Sequence, residues 1–364
     1  MSIETLLNVY IDANIMLLVA YSLWSLARFL MERMGLKRAY TTQLRLLNGG
    51  MVAIALSPVF VLLLGTLTTR YSMNISDIVV AQYLAGHVEI SALRLQSILD
   101  LRDVLVWDFT AQGSLTSNIV LAGLLVGFAW FSLRIMRNIH QLHQILAASH
   151  KWRQFGRLHL LVSDTVLVPF STRDLRNRYI VVPTLMLDNS ADLRMAISHE
   201  LEHFRRFDVE WEILLEFLRP LFFWNPVFYG WKRQVTHLRE YSCDQTLAAR
   251  KSFDLRAYCE CLLRASSRSL QGKVMVVASP TVPLVDFDGG NGRVLRGRIM
   301  ALTTTDETRP PRSLLLLLSA PLMFLVILAA LMIQRPTDWS HDRLMLSTII
   351  NLERMDARSA PASP

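Results

Sequence analysis

Long apolar runs free of charge alternate along this chain with stretches rich in Arg and Lys. Residues 313–333 and 51–69 contain no ionisable side chain. Each is close to the roughly 20 apolar residues needed to cross the hydrocarbon core of a bilayer. Both predict membrane helices, and Pro321 kinks the later one. Residues 118–133 are apolar but shorter, and Arg134 and Arg137 can snorkel and extend that span to residue 137. A first span over residues 5–30 contains Asp12, with a charge-free centre from Ala13 to Ala27. No Lys or Arg precedes it, which argues against a cleaved signal peptide.

The basic residues orient these spans, because cytoplasmic loops are enriched in Lys and Arg. The loop 31–50 carries Arg33, Lys37, Arg38 and Arg45 against Glu32 alone. Arg134, Arg137, Lys151, Arg153 and Arg157 follow the third span, whereas the N-terminus has Glu4 and no base. The expected layout is an outer N-terminus and a membrane domain over 5–137, with the loop 71–117 outside. Residues 138–312 then form a cytoplasmic insert, a fourth helix over 313–334 returns outward, and a short outer tail covers 335–364. In the outer loop Ile78, Val79, Tyr83 and Leu84, then Leu93, Leu95, Ile98 and Leu99, predict helices lying against the membrane surface.

The insert is large enough for a domain of its own. An amphipathic helix is expected near 138–154, then β-like runs at Leu158–Val162, Thr165–Phe170 and Tyr179–Val182, the last closed by Pro183. Ser190 can cap a helix beginning at Ala191. That helix contains His199-Glu200-Leu201-Glu202-His203, the HExxH pattern. Positions i and i+4 share a helix face, so both imidazoles can reach one ion, and Glu200 is positioned to take a proton from metal-bound water. Downstream, Asn225 and Pro226 read as the cap and first residue of a second helix running through Glu240 and Asp244. Glu240 would complete a set of two histidines and one carboxylate, with Asp244 free to hold a ligand histidine through its other nitrogen. On spacing alone the same acids serve equally well as a solvated face paired with Arg239 or Lys232.

Composition agrees with the membrane reading: 52% of the 364 residues are hydrophobic and the mean hydropathy is +0.31. The net charge of +8 raises the question of nucleic acid. The bases cluster beside the spans, however, and no helix-turn-helix or zinc-finger spacing occurs, so no direct nucleic-acid binding is expected. Cys243, Cys259 and Cys261 suggest reduced cytoplasmic thiols rather than a disulfide framework. His150, His159 and His237 read as ordinary structural histidines, and Gly289-Gly290-Asn291-Gly292 as a turn.

HELEHFRRFD, then Trp224-Asn225-Pro226, then Glu240-Tyr241-Ser242-Cys243-Asp244 together resemble the BlaR/MecR-type membrane metallopeptidases, the signal-transducing receptors for beta-lactams. Val168-Pro169-Phe170 and Tyr179-Ile180-Val181-Val182-Pro183 resemble the strand pair ahead of that family's metal helix. The resemblance covers roughly residues 5–335. It implies a multi-pass α-helical membrane protein of a bacterial inner membrane, with an inserted cytoplasmic α+β zincin-like metallopeptidase domain. One zinc ion per chain would be held by His199, His203 and Glu240, with Glu200 as general base and Asp208 and Asp244 as acidic neighbours. The strand 176–183 would border the cleft, where an extended substrate could add as a β-strand.

The implied substrate is a cytoplasmic regulatory protein of the transcriptional-repressor kind, with self-cleavage in 267–293. Membrane lipid and a second copy of the chain are the other expected partners. The tail from Gln334 contains no Ser-x-x-Lys acylation motif, so the resemblance extends to the peptidase half and not to beta-lactam sensing. A signal would enter instead through the loop 71–117, the tail or a partner protein. Two other classes compete. An HtpX-type quality-control peptidase also carries HExxH in a membrane protein, but its third ligand usually lies further downstream within a Glu-x-x-x-Asp context, and the Glu-x-x-Cys-Asp form here favours the first family. A non-catalytic receptor or scaffold would have no need to keep His199, Glu200, His203 and Glu240 together. An intramembrane protease is disfavoured because Arg194, Arg205, Arg206, Asp208 and Glu210 crowd the metal helix. The stretch 211–231 reads as an element packed at the membrane interface.

Overall fold

A computed structural model describes residues 3–67, 75–112, 114–250, 253–271, 282–283, 291–303, 312–332 and 341–359. Helices α1 (Ile3–Arg33), α2 (Tyr40–Leu67), α3 (Ile75–Leu84), α4 (Ala92–Leu99), α5 (Leu101–Trp107) and α6 (Leu115–Ala148) precede strands β1 (His150–Phe155), β2 (Leu158–Ser163), β3 (Phe170–Arg173) and β4 (Arg178–Pro183). Helices α7 (Ser190–Arg205), α8 (Asp208–Leu218), α9 (Pro226–Ala248) and α10 (Leu255–Gln271), strand β5 (Val282–Pro283), and helices α11 (Asn291–Thr303), α12 (Arg312–Met332) and α13 (His341–Ser359) follow. The chain is thus mostly helical with one small sheet. Among the described residues two helices, α1 over Leu6–Arg33 and α6, are long and apolar enough to cross a membrane, and Ser319–Ala330 in α12 is a shorter apolar stretch.

The chain divides into two compact units. One holds Met1–Ala27, Asn48–Leu124 and Leu316–Pro364, and the other Arg28–Leu47 and Leu125–Leu315. In the first unit α13 packs against α3 and α4 around buried Val80, Ala92, Leu95, Leu346 and Ile350. The tail helix was not foreseen from the sequence. Its apolar residues are interrupted by charge, and only the cover supplied by α3 and α4 makes them a core.

The second unit is built on a sheet in the order β1-β2-β4-β3-β5, with β2 and β4 parallel and the other pairs antiparallel. Leu160, Val162, Ile180 and Val182 face Ala196 and Phe204 of α7. Leu161 and Val181 face Leu142 and Ile145 of α6. Strands covered on both faces read as continuous apolar runs, which is why β2 and β4 were recognisable. Two expectations need correction. The helix expected near 138–154 ends at Ala148, and His150–Phe155 forms β1, an edge strand exposed along its whole length. The run Thr165–Phe170 is strand only from Phe170, which continues to Arg173.

Helices α8 and α9 are joined by buried ion pairs. Lys232 Nζ lies 3.1 Å from Glu212 Oε1 and also bonds Glu216, while Arg239 Nη1 donates to Glu212 Oε2 at 2.9 Å. Burial raises the proton affinity of Glu212, but Lys232 and Arg239 outweigh it and hold the carboxyl at about 2. The associated stability is fully present above the ordinary glutamate range and is lost as pH falls toward about 2. Glu212→Gln should therefore lose roughly 3 kcal/mol at neutral pH. Thermal unfolding in detergent would show the wild-type advantage shrinking between pH 5 and 3; a constant gap would contradict this account.

Candidate metal centre

Helix α7 begins one residue earlier than Ser190 capping would allow. The Asn189 side-chain oxygen accepts from the amides of Ala191 and Asp192, satisfying donors left free in the first turn. Along the buried face of α7 stand Leu193, Ala196, His199, Glu200, His203 and Phe204. One helical turn separates the imidazoles, whose rings meet edge-on with centroids 4.6 Å apart and Nε2 atoms 3.0 Å apart. Beyond the helix end Phe207 adopts a left-handed backbone with φ of 60°, an uncommon conformation for a bulky residue. This sharp turn starts α8 at Asp208 and brings its carboxylate 2.9 Å from His203 Nδ1.

Helix α9 supplies the opposite wall. Asn225 caps it by accepting from the Val227 amide, with Pro226 as first residue, as the sequence indicated. Glu240 approaches both imidazoles, with Oε2 3.4 Å from His199 Nε2 and Oε1 3.7 Å from His203 Nε2. Asp244 Oδ1 lies 3.7 Å from His199 Nδ1, too far for a direct hydrogen bond. Tyr258 of α10 bridges the gap: its hydroxyl donates to Asp244 Oδ1 at 2.6 Å and lies 2.8 Å from His199 Nδ1.

The direction of these bonds fixes both tautomers. A carboxylate can only accept, so His203 carries its proton on Nδ1, facing Asp208. The single Tyr258 proton is committed to Asp244, and burial first, then the Asp244 charge, push its ionisation well above 10. The hydroxyl must therefore accept from His199 Nδ1–H. Both Nε2 atoms are left as bare lone pairs 3.0 Å apart beside a carboxylate. Burial, reinforced by His199, pushes His203 well below the usual imidazole range and keeps it neutral. Burial also works against ionised Glu240, but the Arg298 guanidinium outweighs it and holds that carboxyl at about 2. Two facing lone pairs and an anion in a dry interior call for a cation, and the donor set of two nitrogens and one oxygen fits zinc.

Glu200 is fully buried, and neither carboxyl oxygen has a hydrogen-bond partner among the described residues. Burial drives its proton affinity well up, with the Ser171 hydroxyl of β3 the first influence lowering it. Burial likewise raises Asp208 to about 6, against Arg206 and Arg239.

A second donor set is present in His199, His203 and Cys243, whose ligand atoms all lie within 4.8 Å of one another. Cys243 Sγ sits 3.4 Å from His199 Nδ1, the nitrogen already committed to Tyr258, and burial pushes the thiol well above 9. A neutral thiol behind the ring is a poorer donor than an ionised carboxylate in front of it.

All six residues singled out in the sequence (His199, Glu200, His203, Asp208, Glu240 and Asp244) meet at this centre. Two others were missed. Tyr258 lies in an amphipathic helix without a motif, and Arg298 of α11 sits among basic residues that read as a solvated surface. The strand 176–183 does not offer a free edge: β4 is paired with β2 on one side and β3 on the other. Strand β3, which packs against α7 and carries Ser171, borders the centre instead.

A family model described as BlaR1 peptidase M56 matches residues 5–300. The chain therefore belongs to this BlaR/MecR-type family of membrane-associated metallopeptidases. No curated protein matches it significantly.

Tyr258→Phe should free the His199 tautomer, because Asp244 alone is out of reach. Zinc retention during dialysis against a chelator is then expected to weaken roughly 10–100-fold. Unchanged retention would show that Tyr258 does not orient the imidazole.

Proposed function

We propose that this member of the family is a zinc-dependent endopeptidase of a bacterial inner membrane, with a zincin-like centre formed by His199, His203 and Glu240 on the cytoplasmic side. The observation that carries this reading is the pair of imidazole Nε2 atoms converging 3.0 Å apart next to Glu240, with Glu200 alongside. Bound zinc would supply Lewis acidity toward a scissile carbonyl and acidify a water molecule. Glu200 accepts the proton that water loses as it attacks the carbonyl carbon, and returns it to the amine as the C–N bond breaks. A buried carboxyl with raised proton affinity suits that exchange. Asp208, and Asp244 acting through Tyr258, hold the imidazoles in the tautomers the metal requires.

A four-span topology with the insert inside is supported by charge placement and by the helices over each expected span, although the side chains of residues 57–75 and 304–318 lie outside the described residues. The basic loop between the first two spans packs with the insert. Thr41 Oγ1 lies 2.7 Å from Ser242 Oγ, and the rings of Tyr40 and Tyr241 stack 5.0 Å apart. Burial of α13 against α3 and α4 agrees with tail and outer loop sharing a side.

The substrate in this reading is a cytoplasmic regulatory protein, a repressor in the simplest case, presented as an extended strand. Strand β5 supports self-cleavage as a companion activity, because Val282 and Pro283 pair antiparallel with Ser171 and Phe170. Most of the expected self-cleavage segment, residues 272–281 and 284–290, lies outside the described residues.

The test is zinc per chain in detergent-purified protein. The wild type and Cys243→Ala should retain about one ion, whereas Glu240→Ala should lose it. Glu200→Gln should keep the metal and lose peptidase activity roughly 100-fold or more. Folded wild-type protein without zinc would sink the reading.

A further inference from the structure

Glu240 and Asp244 lie one turn apart on the same face of α9, and both are buried. Two like charges at that spacing repel in a dry interior; within α9 Arg239 comes only to 3.9 Å of Glu240 Oε1 and gives its hydrogen bond to Glu212 instead. The compensating group comes from far along the chain. Arg298 of α11 is buried, and its guanidinium spans both acids: Nε donates to Asp244 Oδ2 at 2.7 Å, Nη2 donates to Asp244 Oδ1 at 2.8 Å, and Nη1 lies 3.1 Å from Glu240 Oε2. Nη2 also donates to the Tyr258 hydroxyl at 3.2 Å.

The seat of α11 is specific. A Cβ on Gly297 would lie 2.3 Å from the Tyr241 hydroxyl, so the neighbouring glycine permits the close approach to α9 that lets Arg298 reach. The planar fork of arginine bonds Asp244 through two nitrogens while its third lies beside Glu240 as an ion pair, which the point charge of a lysine ammonium cannot reproduce.

We propose that Arg298 is a positioning residue of this centre: by bridging Glu240 and Asp244 it fixes both the carboxylate that faces the two Nε2 atoms and the Tyr258 hydroxyl that holds His199. Arg298 lies against Glu240 Oε2 as an ion pair, on the carboxylate whose Oε2 faces His199 Nε2 and whose Oε1 faces His203 Nε2. Through Asp244 and Tyr258 it also reaches the far side of His199. One guanidinium thereby sets the direction of two of the three donors. This role rests on the metal reading given above.

The test uses the full-length protein in detergent, with two readouts besides turnover. These are zinc affinity by competition with a chromophoric chelator and the visible spectrum of the Co2+-loaded protein. Arg298→Ala should weaken zinc binding roughly 10–100-fold and reduce the intensity of the Co2+ bands as water replaces a protein donor. Arg298→Lys keeps a buried positive charge but cannot bridge, so it should fall between wild type and Arg298→Ala. Should Arg298→Ala fail to fold, the lysine variant decides: weaker zinc binding than wild type supports the bridge. Lysine affinity within twofold of wild type would overturn it, since charge alone would suffice, and so would wild-type affinity in both variants. Wild type that binds no zinc would overturn the metal reading itself, and is told apart by being seen before any variant is compared.

Discussion

Two imidazole lone pairs aimed at one point in a dry interior are the constraint on which this centre depends. Left alone the arrangement is unfavourable, because neutral nitrogens 3.0 Å apart repel when neither carries the intervening proton. Every polar group behind the rings maintains it. Asp208 holds the Nδ1 proton of His203, and Asp244 claims the Tyr258 proton so that the hydroxyl must accept from His199. Without these partners a ring could flip or change tautomer, and the two nitrogens could share a proton. The arrangement thus holds a local electrostatic imbalance of the kind a cation would relieve.

That arrangement requires buried carboxylates, and burying them carries its own cost. An isolated ionised carboxylate is strongly disfavoured away from water unless it is paired. The acids here differ in how they are balanced. Glu240 and Asp244 share the charge of Arg298, and Glu212 faces Arg239 and Lys232, so all three remain ionised. Glu200 has no cation in direct contact and no hydrogen-bond partner among the described residues, so its proton affinity rises instead. One cluster therefore contains a carboxylate suited to hold a metal and a carboxyl suited to exchange a proton. The distinction comes from which acid faces a guanidinium and not from the acids themselves.

What the sequence revealed follows from how far apart the cooperating residues lie. His199, Glu200 and His203 sit within two turns of one helix, so spacing alone exposed them. Glu240 and Asp244 share a second helix whose start was marked by Asn225 and Pro226, but only the ordered set of motifs separated ligand from solvated face. Asp208 stood close in sequence to the metal helix, yet the left-handed turn at Phe207 that swings it beneath His203 has no glycine or asparagine to announce it. Tyr258 and Arg298 entered through packing of α10 and α11, and no local pattern distinguishes a buried arginine from its exposed neighbours. Strand β1 was hidden for the opposite reason: fully exposed, it lacks the alternation that marks a half-buried strand.

Helix α9 ties these facts together, because it is engaged on two flanks. One flank presents Glu240, Cys243 and Asp244 to the imidazoles. The other presents Tyr241 to the ring of Tyr40, Ser242 to Thr41, and Gln245 to the Arg38 carbonyl. Successive residues on a helix differ by about 100° in direction, so rotating α9 to relieve one flank would tear the other away. Gly297 closes the remaining freedom, since the Tyr241 hydroxyl lies where a larger residue would need to be. The carboxylate that faces the two imidazoles, its arginine counter-ion and the start of α2 are therefore placed by one rigid element. None of them can shift far without the others.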